Sequence, residues 1–169
     1  FLPILLLILI TYFSITYKSD NPIIVTIITV QIPDYTLSSI DSTVSFTFTF
    51  HAAVTNPSRR HYSYSNTSSS LFYGRHQVGY IFIPGRHVPP GMENVMEVSM
   101  LAKSVPVSLY WYVPAMKGIN LKQTMELNLE MKLQGRMTVF WVFSRRVDRH
   151  VKCLVVVGIL DGSLLSFHC

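Results

Sequence analysis

The sequence predicts an all-β domain, an antiparallel β-sandwich preceded by one transmembrane helix. Three observations lead there. Residues 43–55 and 121–133 alternate apolar and polar side chains with a period of two, as half-buried strands do. Turn residues then punctuate the chain at Ile32-Pro33-Asp34, Asn56-Pro57-Ser58, Tyr73-Gly74, Pro84-Gly85, Pro89-Pro90-Gly91 and Gln134-Gly135. Finally, Phe1–Tyr17 carries no charge at all, and no amphipathic helices alternate with the later strands.

The opening segment, FLPILLLILITYFSITY, would reach about 25 Å as a helix, just short of the ~30 Å hydrocarbon core of a bilayer. The chain begins with Phe1 rather than Met, so a missing upstream piece is expected to complete the span. Tyr12, Tyr17, Lys18 and Asp20 suit the membrane interface. Two alternatives stand beside the anchor. One is a cleaved signal peptide, which Ser14-Ile15-Thr16 fits poorly, and the other is a buried core helix ended by Asn21-Pro22. An anchor or a signal peptide would each place the β-domain outside the cytosol.

At 169 residues the chain has the length for one domain with a proper core. Four stretches are expected: 1–17 anchor, 18–42 first strand and connection, 43–157 the body of the sandwich, and 158–169 a C-terminal tail. In the first long strand Val44, Phe46, Phe48, Phe50, Ala52 and Val54 face inward, while Ser45, Thr47, Thr49, His51 and Thr55 face solvent. In the second, Leu121, Met125, Leu127, Leu129, Met131 and Leu133 form the inner row, opposite Lys122, Thr124, Glu126, Asn128, Glu130 and Lys132. Shorter strands are expected at 23–32, 61–64, 70–73, 77–83, 94–102, 136–143 and 147–157, with 104–116 left as a loop holding a short strand or a helical turn. Such a series fits an immunoglobulin/fibronectin III-like architecture.

Charge and cysteine content bound the function. Charged residues make up 14% of the chain, against roughly 25% in soluble domains. A net charge of +5 favours acidic partners, whether anionic lipid headgroups, an acidic polysaccharide or nucleic acid, and charge alone does not choose among them. Cys153 and Cys169 are too few for a disulfide-stapled miniature fold or a four-cysteine zinc site. They pair if the domain lies in an oxidising compartment and otherwise remain free thiols.

Catalytic signatures are missing from the sequence. It contains no phosphate-cradling glycine loop and no G-x-S-x-G elbow. Its six histidines lack the i, i+4 spacing of a helical metal pair, and His150 with Cys153 makes no metal site alone. Glu126 and Glu130 would stand about 13 Å apart on one strand face, too far for paired acid–base work. No enzyme, cofactor or metal is therefore expected. Two local features remain. Asn66-Thr67-Ser68 is the one N-glycosylation sequon, in a stretch expected to be a Ser/Asn-rich loop, because proline blocks Asn56-Pro57-Ser58. Arg145, Arg146, Arg149, His150 and Lys152, opposed in sequence only by Asp148, form a basic cluster. It suits an anionic lipid or wall polymer, or else a solvated strand edge that discourages pairing.

In this layout the chain resembles the plant late embryogenesis abundant group 2 domain, in its membrane-anchored harpin-induced-like branch. The residues that carry the resemblance are Phe46–Val54 running into Asn56-Pro57, then Tyr62 and Tyr64, then Leu71-Phe72-Tyr73-Gly74. Val88-Pro89-Pro90 follows, and Gly135–Phe143 leads into Arg145-Arg146-Val147 and Cys153. The resemblance implies a single-pass protein of the plasma membrane or endoplasmic reticulum that acts in stress or defence through other membrane proteins or acidic surfaces. No nucleic-acid partner is expected. A second implied function is lipid binding or transfer, in an apolar groove lined by Phe46, Phe48, Trp111 and Trp141. The alternative reading of those aromatics, and the favoured one, is ordinary core.

Overall fold

The structure, a computed structural model, describes residues 1–18, 22–108, 123–138 and 143–169. Among the described residues one helix, α1 (Leu2–Lys18), precedes eleven strands. The strands are β1 (Ile24–Gln31), β2 (Tyr35–Ser38), β3 (Thr43–Thr55), β4 (Tyr62–Tyr73), β5 (His76–Ile83), β6 (Arg86–Val88), β7 (Glu93–Pro106), β8 (Thr124–Thr138), β9 (Ser144–Arg146), β10 (Arg149–Gly158) and β11 (Leu164–His168). They build two antiparallel sheets around a single core, so the all-β class is correct.

The expected membrane span is not seen as such. The apolar run does form a helix, but at 17 residues no helix among the described residues is long and apolar enough to cross a membrane.

In the first sheet β3 is central. β7 pairs along one edge of it, while β1 and β2 share the other, β1 along Thr49–Thr55 and β2 along Thr43–Phe46. The second sheet runs β11-β10-β8-β4-β5, with β9 continuing β10's edge of β8 and β6 continuing β5's edge of β4. The inner rows expected from alternation meet between the sheets. Val44, Phe46, Phe48, Phe50 and Val54 oppose Met125, Leu127, Leu129, Met131 and Leu133, all at most 1% exposed. Leu121 and Lys122 lie outside the described residues.

Four expectations need correction. Thr49 does not face water. It is buried because β3 is flanked on both sides, and its hydroxyl bonds Ser99 Oγ at 2.8 Å. Gln134-Gly135 is not a turn, since β8 runs through it to Thr138. Gly135 is needed there because the Tyr62 ring lies over its Cα, where a Cβ would collide with it. Residues 158–169 are not a tail. They turn through Gly158–Gly162 into β11, which pairs with β10, and Cys153 bonds Cys169. Lastly, the serine-rich stretch is not a loop but the middle of β4, a single strand of 12 residues.

A bulge explains the last point. Against β8, Ser65 pairs with Gln134 but Ser68 pairs with Lys132, so β4 carries one extra residue. Asn66 takes it up with φ of 52°. An extra residue reverses which parity faces inward. Tyr62 and Tyr64 are buried before the bulge, and Thr67, Ser69 and Leu71 after it. Without the bulge Leu71 would be turned to solvent.

Candidate anion-contact surface

The basic cluster expected from sequence is split by the pairing of β8, β9 and β10. Arg145 and Arg146 stand on the short β9, opposite Met137 and Arg136. Arg146 Nε bonds Asp148 Oδ2 at 2.6 Å. Arg149 is half-buried, and its Nε donates to the carbonyl of Ile23 at 2.7 Å, a structural tie to the start of β1. His150 and Lys152 project from the outer face of β10 toward β8. There Lys152 Nζ reaches Glu130 at 2.8 Å and His150 Nε2 reaches it at 3.7 Å. Glu130 thus opposes the cluster across the sheet, which sequence distance concealed. The Lys152 hydrogen bond holds the Glu130 carboxyl below the usual carboxylate range.

Other residues join this surface from distant parts of the chain. Register places Ser63 of β4 between His87 of β6 and Arg136 of β8. Ser63 Oγ lies 2.9 Å from His87 Nδ1, and His87 Nε2 lies 2.9 Å from His61 Nδ1. With centroids 4.9 Å apart and planes within 19°, the two rings meet edge to edge. A face stack would hold the nitrogens farther apart. His61, Ser63, His87 and Arg136 were not singled out from sequence, and only the β4–β6–β8 register brings them together.

The remaining sequence candidates serve structure or stand apart. Asn66 is exposed on the β4 bulge, not in a loop. Asn56 is wholly buried. Its Nδ2 donates to the carbonyls of Arg60, Val88 and Pro89, while its Oδ1 accepts from the Ser58 amide and hydroxyl. Phe46 and Phe48 are core, and Trp111 and Trp141 lie outside the described residues. Burial pushes Tyr35 up to about 12, with Asp161 adding to the shift, and its hydroxyl donates to the carbonyl of Ile159. Tyr62 is raised as well, chiefly by burial, and donates to the Val147 carbonyl at 3.0 Å. Both phenols are donors that tie loops to the core. Among the described residues no group of three His, Cys, Asp or Glu is placed to hold a metal ion.

No family model matches the chain, and no curated protein matches it. Solved structures are similar to the chain to differing degrees. A target of the Northeast Structural Genomics Consortium is similar at TM-score 0.50 and 8% identity, over 79% of this chain and 86% of its own. A second target of the consortium, from Bordetella pertussis, has TM-score 0.44 and 9% identity over 79% and 94% of the two chains. A protein from Archaeoglobus fulgidus has TM-score 0.40 and 9% identity over 75% and 95%. At such identities the likeness to the first is one of fold alone.

Proposed function

We propose that the chain is a membrane-anchored, non-catalytic interaction protein, with an immunoglobulin/fibronectin III-like β-sandwich on the extracytosolic side. Its resemblance to the late embryogenesis abundant group 2 domain implies a role in plant stress or defence. The observation that supports the interaction reading is the close burial of the core among the described residues. Val44, Phe48, Phe50, Leu71, Leu127 and Val155 are each 0% exposed. A groove wide enough for an acyl chain would leave some of these side chains uncovered. A partner must then be met on the outer surface, where Tyr80 and Phe82 stand exposed on the β4–β5 side of the second sheet and the cations stand on the β8–β10 side.

Two features support the location. The apolar side chains of α1 from Leu2 to Ile10 are more than half exposed, a surface that needs an apolar phase to cover it. The Cys153–Cys169 bond suits an oxidising compartment. Alkaline carbonate extraction of membranes carrying the full chain should leave it in the pellet, and release would overturn the anchor. Native mass spectrometry of the detergent-extracted chain should show no lipid bound one to one. Stoichiometric lipid would favour the groove instead.

A further inference from the structure

Arginine is distributed over this molecule very unevenly. The chain has eight arginines, and seven of them gather at the end of the domain where α1 joins it: Arg59 and Arg60 before β4, Arg86 on β6, Arg136 on β8, and Arg145, Arg146 and Arg149 on β9 and β10. A chain of short contacts fixes this end. Arg149 holds the Ile23 carbonyl, and Ile24 pairs with Thr55, the last residue of β3. Asn56 then binds the carbonyls of Arg60 and Val88. Tyr62 pairs with Val88 and Met137, and its hydroxyl reaches the Val147 carbonyl. Ser63 and Tyr64 pair with Arg136 and Arg86, and Arg136 pairs with Arg146. The eighth, Arg75, lies in the turn after Tyr73, about 36 Å away at strand rise along β4.

Among the described residues, arginines outnumber acidic residues at this end. Among the described residues only Glu93 and Asp148 lie there, Glu93 bonded to Thr55 and Asp148 to Arg146. Arg59, Arg86, Arg136, Arg145 and Arg146 are exposed. So is Phe143, the residue before β9, at 67%. Like charges this dense repel one another unless an anion or a charged surface lies against them.

Chain length says which surface. Four residues lie between Lys18, the end of α1, and Ile23, and the five steps from one to the other span at most about 18 Å. If α1 is held in a bilayer, the arginine-rich end cannot lie far from the headgroups of that same leaflet. We propose that this end of the domain is a docking face for the anionic phosphate headgroups of the bilayer that holds α1. The guanidinium groups supply planar forks for phosphate oxygens. Ser63, His87 and His61, joined to one another by short contacts, lie beside Arg136 on the same rim. The inference rests on the anchored reading of α1. It also replaces the expected contact through 145–152 alone by a surface drawn from four segments, in which Arg149 pins the chain and Lys152 is occupied by Glu130.

The test uses the full chain in nanodiscs, with hydrogen–deuterium exchange as the readout. Discs of phosphatidylcholine are compared with discs containing phosphatidic acid or phosphatidylserine. In the anionic discs, protection should rise over residues 59–63, 86–88 and 144–149 and stay unchanged around Arg75. It should fade toward 1 M salt, where the Debye length falls to about 3 Å. The variant R86E/R136E/R146E changes exposed residues only, and it should weaken docking by roughly a hundredfold. If the chain does not co-elute with the discs, the anchored reading fails. If it co-elutes but anionic lipid leaves the exchange of these segments unchanged, the docking face fails while the anchor stands. Protection by added polygalacturonate over neutral discs, with none from anionic lipid, would overturn the headgroup assignment in favour of an acidic polymer. Equal protection by inorganic phosphate alone would reduce the face to a free-anion site and overturn it likewise.

Discussion

The side-chain amide of Asn56, one residue past β3, donates to the carbonyl of Val88, the last residue of β6, at 3.0 Å. β3 belongs to one sheet and β6 to the other, so this single side chain fastens the two sheets together at the α1 end. Backbone bonds reinforce it, from the Asn56 amide to the Met92 carbonyl at 2.9 Å and from the Gly91 amide to the Asn56 carbonyl at 2.8 Å. Proline at position 57 ends β3 and removes a donor that would have no ladder partner. The Asn-Pro pair is thus a sheet-to-sheet clasp.

Replacing Asn56 by Ala should be costly, because the Val88 carbonyl and the Ser58 amide would lose a buried partner, while the Arg60 and Pro89 carbonyls keep the Ser58 hydroxyl and the Met92 amide. Each unsatisfied buried group costs about 1–3 kcal/mol, so a loss of at least about 2 kcal/mol is expected in chemical denaturation. A loss below about 1 kcal/mol would show that the clasp is replaced by solvent.

The centre of β3 allows a graded comparison. Phe48→Ala removes a wholly buried ring and should cost about 3–5 kcal/mol. Thr49→Ala breaks the bond to Ser99 and should cost about 1 kcal/mol. Thr47→Ala, on the same outer face but half-exposed, should stay within about 0.5 kcal/mol. Equal losses at 47 and 49 would remove the distinction between the two threonines.

The contrast between Phe48 and Thr49 shows what a sequence can tell. Alternation located the inner rows of β3 and β8 correctly, because their two faces differ in polarity at nearly every step. It could not show that Thr49 is covered, since that depends on β1 and β7 flanking β3. The middle of β4 was illegible because Ser65 to Ser70 offer no hydrophobic contrast, and the bulge at Asn66 changes parity halfway. The five residues of β11 were too few to stand out from a tail. The pairings of Lys152 with Glu130 and of His61 with His87 depend on register alone, which no local pattern encodes.

Glu130 gives a pH prediction. Its carboxyl is held low in the folded chain, first by the Lys152 hydrogen bond. The unfolded chain therefore binds this proton more readily, and the pair stabilises the fold above the ordinary carboxylate pKa. That contribution fades as pH falls through the lowered value. Glu130→Gln should cost about 0.5 kcal/mol at pH 7, as partly exposed pairs do, and nothing near pH 2. A difference between the two proteins that is independent of pH, in paired denaturation curves, would assign the effect to packing.

The disulfide makes a larger contribution. Cys153 and Cys169 are 16 residues apart, and closing such a loop in the unfolded chain is worth about 3 kcal/mol. Cys169→Ser, or reduction, should lower stability by about that amount. It should also release β11 first, seen as faster amide exchange at residues 164–168 with β8 still protected. Uniform acceleration across the second sheet would mean that β11 and β10 unfold as one unit.

Thr67 offers a gain in stability. It points into the core just after the bulge, is 0% exposed, and its hydroxyl has no hydrogen-bond partner among the described residues. Burying a hydroxyl without a partner costs about 1–3 kcal/mol on protein scales. Valine keeps the branched shape that suits a strand and removes the polar atom. Thr67→Val should therefore stabilise the domain by about 1 kcal/mol. Ser69 provides the control, since it is equally buried but its hydroxyl reaches the Glu130 carbonyl at 3.4 Å. Ser69→Ala should be neutral or mildly destabilising. The substitution at 67 leaves Asn66 and Ser68 in place, so any endoglycosidase-sensitive mass shift due to a glycan on Asn66 should persist in Thr67→Val and vanish in Asn66→Gln. If Thr67→Val lowers the denaturation midpoint while Ser69→Ala does not, the Thr67 hydroxyl is hydrogen-bonded in solution and the bulge is held by that bond.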